Sequence, residues 1–180
     1  MKAIIIGTPG KGKTTLCNMI KQDYPNIATI SVGSLRSPLG IHKPHMGYET
    51  EIAPENIQFF KNIIESAMSF HKDYIVEGYG LSPKDALQIG NNHKCPVVLL
   101  CHRNTSAEED FELVRKYDSK DKWTAKRSDV YLKKLYEFYK NVETHWISSM
   151  PENMIFSTDD NFDLALRNAY QFILSCQQHD

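Results

Sequence analysis

Short apolar runs alternate along the chain with longer stretches whose apolar residues recur every third or fourth position. The runs cover residues 2–6, 28–32, 74–76, 97–101 and 154–156. An unbroken apolar run bounded by turn residues is what a strand covered on both faces looks like, while the three-to-four period marks a helix with one buried stripe. Helices are accordingly expected over 14–22, from Pro54 onward, 82–90, 105–116, 124–146 and 162–174. From Pro54 the stripe is Ile57, Phe60, Ile63, Ile64, Ala67 and Phe70; on the long helix it is Tyr131, Leu135, Phe138, Val142 and Trp146. Ser82-Pro83 with Asp85 reads as a cap, a first-turn proline and an acidic first turn, and Thr105 with Glu108 as a capping box. Strands joined by helical crossovers predict a three-layer, doubly wound α/β domain on a five-stranded parallel sheet. Ligands of such sheets gather at the carboxyl ends of the strands.

Composition narrows the class. A chain of 180 residues fits a single domain spanning 1–180, and 41% hydrophobic with 24% charged residues excludes wholesale disorder. A net charge of −1 carries no strong nucleic-acid signature, since duplex binders show a basic excess. No apolar run approaches the roughly 20 residues of a membrane span, and the N-terminal run is too short for a signal peptide; a cytoplasmic protein without membrane association is expected. Cys17, Cys95, Cys101 and Cys176 lack CxxC spacing and read as reduced thiols, and His42 with His45 lacks the further ligands a zinc site needs.

Between the first run and the first helix stands GTPGKGKT, residues 7–14, which satisfies G-x-x-x-x-G-K-[ST] without a gap. Gly7, Gly10 and Gly12 let the backbone turn its N–H groups toward a phosphate, and the helix start that follows adds its dipole. Lys13 brings a full positive charge to β and γ phosphates, and Thr14 a hydroxyl to Mg²⁺. Pro9, Lys11 and Thr15 complete the candidate nucleotide-binding segment. ATP and Mg²⁺ are the cofactors this pattern calls for. A chance Gly/Lys-rich turn would lack the strand before it and the helix after it.

A phosphate site on such a sheet wants a second acid near the metal and arginines over the transferring group. Glu77, ending the run DYIVEG, is the candidate acid, as metal ligand or substrate contact; a solvated turn residue is the other reading. The arginines are few: Arg36, Arg103, Arg115, Arg127 and Arg167. Arg36 follows the second run, while Arg115 and Arg127 flank the polar stretch KYDSKDKW, whose charge and position suit a lid over 115–127. Each of those two arginines is equally readable as a helix-end residue in a surface ion pair. The acidic run Glu108, Glu109 and Asp110 favours the start of its helix through the dipole. Trp123, in the polar stretch, packs on a nucleotide base or anchors the lid; the sequence leaves both open.

The chain resembles the P-loop nucleoside monophosphate kinases, adenylate kinases above all. Besides residues 7–14, ISVGSLR (30–36) is similar to the family's I-S-T-G-D-x-L-R, with Ser34 at the Asp position. IVEGYGLS (75–82) is similar to V-D-G-F-P-R-T, with Glu77 for Asp. AKRSDVYLKKLYEFY (125–139) is similar to the K-R-L-x-x-Y helix. The resemblance implies ATP·Mg²⁺ at Gly7, Pro9, Gly10, Lys11, Gly12, Lys13, Thr14 and Thr15, with Thr14 and Glu77 at the metal. It implies an acceptor-binding segment over 33–72, with Ser34, Arg36, Glu77, Gly78 and Tyr79 on the acceptor. Lys13, Arg115 and Arg127 would be catalytic. Leu81 replaces the arginine of G-F-P-R, and a long lid insertion has no room, which suits the short-lid branch. The expected function is transfer of the ATP γ-phosphoryl to a nucleoside or deoxynucleoside monophosphate. The alternatives are an adenylate-kinase-like ATPase or assembly factor, and a small kinase acting on a polynucleotide 5′-hydroxyl or a metabolite.

Overall fold

The computed structural model describes residues 1–36, 54–118 and 124–177, with Arg36 and residues 54–57 described by backbone alone. His42, His45 and Trp123 therefore lie outside the described residues. The five strands are β1 (Lys2–Ile6), β2 (Ala28–Ser31), β3 (Tyr74–Gly78), β4 (Val97–Cys101) and β5 (Ile155–Ser157). They form one sheet in the order β2-β3-β1-β4-β5, every neighbouring pair parallel. The helices are α1 (Lys13–Asp23), α2 (Val32–Arg36), α3 (Pro54–Ser69), α4 (Pro83–His93), α5 (Ala107–Tyr117), α6 (Asp129–Ser149) and α7 (Phe162–Gln177). No described helix is long and apolar enough to cross a membrane.

Strand side chains alternate between the two faces, and each face has its own helices. Ile4, Ile6, Val76 and Leu99 meet Phe60, Ile64 and Met68 of α3, Ala86 and Ile89 of α4, and Trp146 of α6. Ala3, Ile5, Ile75, Val98 and Leu100 meet Leu16, Cys17 and Ile20 of α1, and Leu166, Ala169 and Ile173 of α7. The apolar runs of the sequence are thus the walls of two cores, as a sheet covered on both sides demands. A third cluster joins α5 to α6 through Phe111, Val114, Leu132, Leu135, Tyr136 and Tyr139. Cys17, Cys95 and Cys101 are core residues, and burial pushes their thiols up to about 12, 12 and 11.

Several expectations shift. The second strand ends at Ser31, and Val32 opens α2 instead of closing the strand. The fifth strand is Ile155–Ser157, displaced by a 3₁₀ turn over Glu152–Met154. The capping box belongs to Ser106 and Glu109, one residue on, because the Thr105 hydroxyl is occupied by Asp110. The long helix is not continuous from 124: a 3₁₀ turn spans Thr124–Lys126, and Ser128 caps a separate α6 through the Tyr131 N–H. On α6 the buried line is Leu132, Leu135, Tyr136, Tyr139, Glu143 and Trp146, while Tyr131, Phe138 and Val142 are half-buried. Phe70 lies past the end of α3 and is 80% exposed.

Helix α4 does not stop at Gly90 but continues to His93, with Lys94 in the left-handed region at φ 48°. Gly90 is instead where α4 touches the sheet: a Cβ there would lie 2.6 Å from Val97 Cγ2 and 2.8 Å from the Cys95 carbonyl oxygen. Gly90→Ala is expected to destabilise the fold by about 1–3 kcal/mol despite better helix propensity, seen as a lowered Tm.

Candidate active site

The loop from Gly7 to Gly12 leaves the end of the central strand β1 and feeds straight into α1. Gly7 passes so close to β4 that a Cβ would sit 2.4 Å from the Leu100 carbonyl oxygen. Gly12 has φ 87°, in the left-handed region, with the Phe162 ring 2.9 Å from the position of a Cβ. No other residue type meets both conditions, so the tight bend is written by these glycines.

A cleft of about 1470 Å³ opens at this edge of the sheet. Its floor is Pro9, Gly10, Lys11, Gly12, Lys13, Thr14 and Thr15. One wall comes from the ends of β2 and β3, namely Ser31, Gly33, Glu77, Gly78 and Tyr79; the other comes from β4, α5 and the loop before α7. Tyr79 is held by stacking on Trp146, ring centroids 5.4 Å apart. Lys13 Nζ donates to the Thr8 carbonyl oxygen at 2.7 Å across the loop. Burial lowers the Lys13 pKa to about 8, against the upward pull of Glu77, and Lys11 adds to the lowering. Glu77 pairs in register with Ile5 and with Ser31, which sets its carboxylate at the carboxyl edge beside the loop.

The residues present fit a nucleotide with its metal. Backbone amides and a lysine converge on a glycine bend at a helix start, the arrangement that captures phosphate. Thr14 and Glu77 both border the cleft and are the side chains that would meet an ion carried on the phosphates. Among the described residues no group of three or more His, Cys, Asp or Glu is arranged to hold a metal by protein ligands alone.

Other candidates are placed differently. Ser34 is exposed on α2 and does not border the cleft, although Gly33 and Ser31 do. Arg36 is seen only as backbone. Arg115 does not line this cleft: its guanidinium donates to the carbonyls of Thr124 at 3.2 Å and Arg127 at 2.7 Å, and pairs with Asp129. It thereby ties together the two ends of the 115–127 segment. Arg127 lies exposed, its guanidinium 5.5 Å from the Tyr131 ring centre.

The sequence reading missed a buried polar cluster beside the loop, of which Lys11, His102 and Asp110 border the cleft. Lys11, Asp110 and Glu143 are 2%, 4% and 1% exposed. Lys11 Nζ lies 2.5 Å from Asp110 Oδ2 and 3.6 Å from Glu143 Oε2. Thr8 Oγ1 donates to Glu143 Oε1 at 3.0 Å, and His102 Nδ1 meets Asp110 Oδ1 at 2.5 Å. Burial alone would raise the Asp110 pKa, but the His102 hydrogen bond and the Lys11 charge together hold it well below the carboxylate range. Asp110 is therefore no mere dipole partner of its helix. The available signal was a glutamate on the buried line of α6, one position past Val142.

No family model matches the sequence, and no curated protein matches it. Solved structures do share its fold, shikimate kinases and a gluconokinase among them. A shikimate kinase from Bacteroides thetaiotaomicron aligns with a TM-score of 0.57 at 16% identity, covering 99% of both chains. A gluconokinase from Sinorhizobium meliloti 1021 aligns at 0.56 and 12%, covering 99% of this chain and 98% of the other. A shikimate kinase from Aquifex aeolicus aligns at 0.53 and 16%, over 99% of both. At these identities it is the fold that is shared.

Proposed function

We propose that this chain is an ATP-dependent phosphotransferase that acts on a small acceptor, with a nucleoside or deoxynucleoside monophosphate as the acceptor class. The observation that carries the reading is the glycine-bent loop with Lys13 on the floor of a large cleft and Glu77 on its wall. Bound ATP·Mg²⁺ supplies the transferable phosphoryl group and a divalent charge. The amides of residues 10–14 would bind phosphate oxygens, and Lys13 would exchange the Thr8 carbonyl for the same oxygens. Thr14 and Glu77 would orient the metal's shell, and Arg36 the acceptor's phosphate. Arg115 and Arg127, at the two ends of the lid, would approach the transferring group on closure. Because phosphoryl transfer is mainly positioning and charge stabilisation, no separate general base is required.

A second reading, transfer to a hydroxyl of a metabolite, is favoured by two observations. Leu81 is a core residue at 1% exposure, so no guanidinium stands at that position. On the acceptor wall, Glu77 is the sole charged side chain among the described residues. The fold neighbours are likewise named for shikimate and gluconate. A coupled ADP-release assay over the common NMPs, dNMPs, shikimate and gluconate separates the two. ADP release accelerated by one NMP, and lost in Arg36→Ala, supports the first reading. Acceleration by an acid only supports the second, and acceptor-independent ADP release supports an ATPase.

A further inference from the structure

The polar cluster beside the loop has no place in the chemistry above, yet it sits against the segment that must attract a polyanion. Two carboxylates, Asp110 and Glu143, are buried there, and water cannot screen them. Their partners are Lys11 and Lys140, whose Nζ lies 3.3 Å from Glu143 Oε2 and 2.7 Å from the His102 carbonyl oxygen. Two ammonium groups stand against two carboxylates, and His102 Nδ1 shares Asp110 Oδ1 with the Thr105 hydroxyl. Thr105 and Thr8 complete the carboxylates' hydrogen bonds. Of the two lysines only Lys11 is carried by the loop itself; it borders the cleft together with Asp110, but it is 2% exposed and its ammonium is taken up by Asp110 and Glu143. Without it, one uncompensated negative charge would remain beside the phosphate cradle.

We propose that Lys11 is a positioning residue that neutralises Asp110 and Glu143, keeping the loop attractive to phosphate, and that it makes no side-chain contact with the nucleotide. The proposal rests on the nucleotide-binding reading of the loop. Phosphate affinity would then follow the charge balance of the cluster, not the presence of a lysine at position 11. A lysine needed for contact, or only for packing, predicts the opposite.

The test uses the full chain and calorimetric titration with Mg²⁺ and a non-hydrolysable ATP analogue, with Tm recorded for each variant. Lys11→Met keeps the side chain's length and removes its charge; affinity is expected to fall about tenfold from one unscreened charge nearby. Lys11→Met combined with Asp110→Asn restores the balance and is expected to return affinity to within about threefold of wild type, whatever its Tm. Unchanged affinity in Lys11→Met overturns the proposal, as does a double variant that binds no better than the single one. Where Lys11→Met does not fold, the double variant decides alone: near-wild-type affinity supports the proposal and a tenfold deficit overturns it. A wild type that binds no analogue overturns the nucleotide reading and this proposal with it, whereas a binding wild type with an indifferent Lys11→Met overturns this proposal only.

Discussion

Lys13→Met is expected to lower phosphoryl transfer by about 10²–10³-fold while leaving the fold intact, because on the cleft floor Lys11 is paired with carboxylates whereas the Lys13 ammonium is held by a backbone carbonyl that a phosphate oxygen can replace. Circular dichroism and Tm check the fold; a coupled assay checks the rate. Wild-type-like turnover would remove the loop from the chemistry. The same side chain gives a pH dependence whose sign follows from its environment. Its folded pKa of about 8 lies below the ordinary 10.5, so burying the ammonium costs stability below pH 8. That cost fades as pH climbs and the folded protein sheds the proton before the unfolded chain does. Lys13→Met should therefore melt slightly higher than wild type at pH 7. An anion needs the protonated form, so wild-type affinity for an ATP analogue should drop about tenfold between pH 7 and pH 9, one unit either side of that pKa. Titrations at pH 7, 8 and 9 test this, and a flat profile would contradict it.

The second large effect belongs to Glu77. Glu77→Gln keeps the side chain's shape and removes its charge, and the expected result is a 10–100-fold loss of activity at ordinary Mg²⁺, partly recovered at high Mg²⁺. An activity loss insensitive to Mg²⁺ would move Glu77 from the metal to the acceptor. The substitution also reaches Lys13. Burial is the largest influence on that lysine, and Glu77 is the main one opposing it. Without the carboxylate, the fall of affinity with pH should begin below pH 8.

The sheet was legible because a strand covered on both faces is apolar along its buried length, and residues 3–6 and 97–101 are. The loop was legible because its pattern is complete in eight consecutive letters, although the neighbours that crowd Gly7 and Gly12, Leu100 and Phe162, lie far along the chain. What failed were features decided by partners far along the chain. Thr105-x-x-Glu108 and Ser106-x-x-Glu109 are equally good capping boxes as strings; the choice falls to Ser106 since Asp110 claims the Thr105 hydroxyl. The break before α6 was written in Ser128-Asp129, a cap and an acidic first turn, but the apolar period ran over it. Glu143 could be read locally only as an acid beside the apolar stripe, because its partners Thr8 and Lys11 are more than 130 residues away. Arg115 was readable as charged and near the lid, whereas its attachment to Asp129 and two backbone carbonyls required the folded turn at Thr124–Lys126.

The core thiols have a practical consequence. Reaction with alkylating probes proceeds through the thiolate, and Cys17, Cys95 and Cys101 are both enclosed and pushed to between about 11 and 12. Cys176, near the end of α7, is only half-buried. A maleimide dye added to the unaltered chain at neutral pH therefore marks one helix on the face opposite α3 and α4. It reports from there without any cysteine having to be engineered away, least of all Cys17 in the helix that follows the loop.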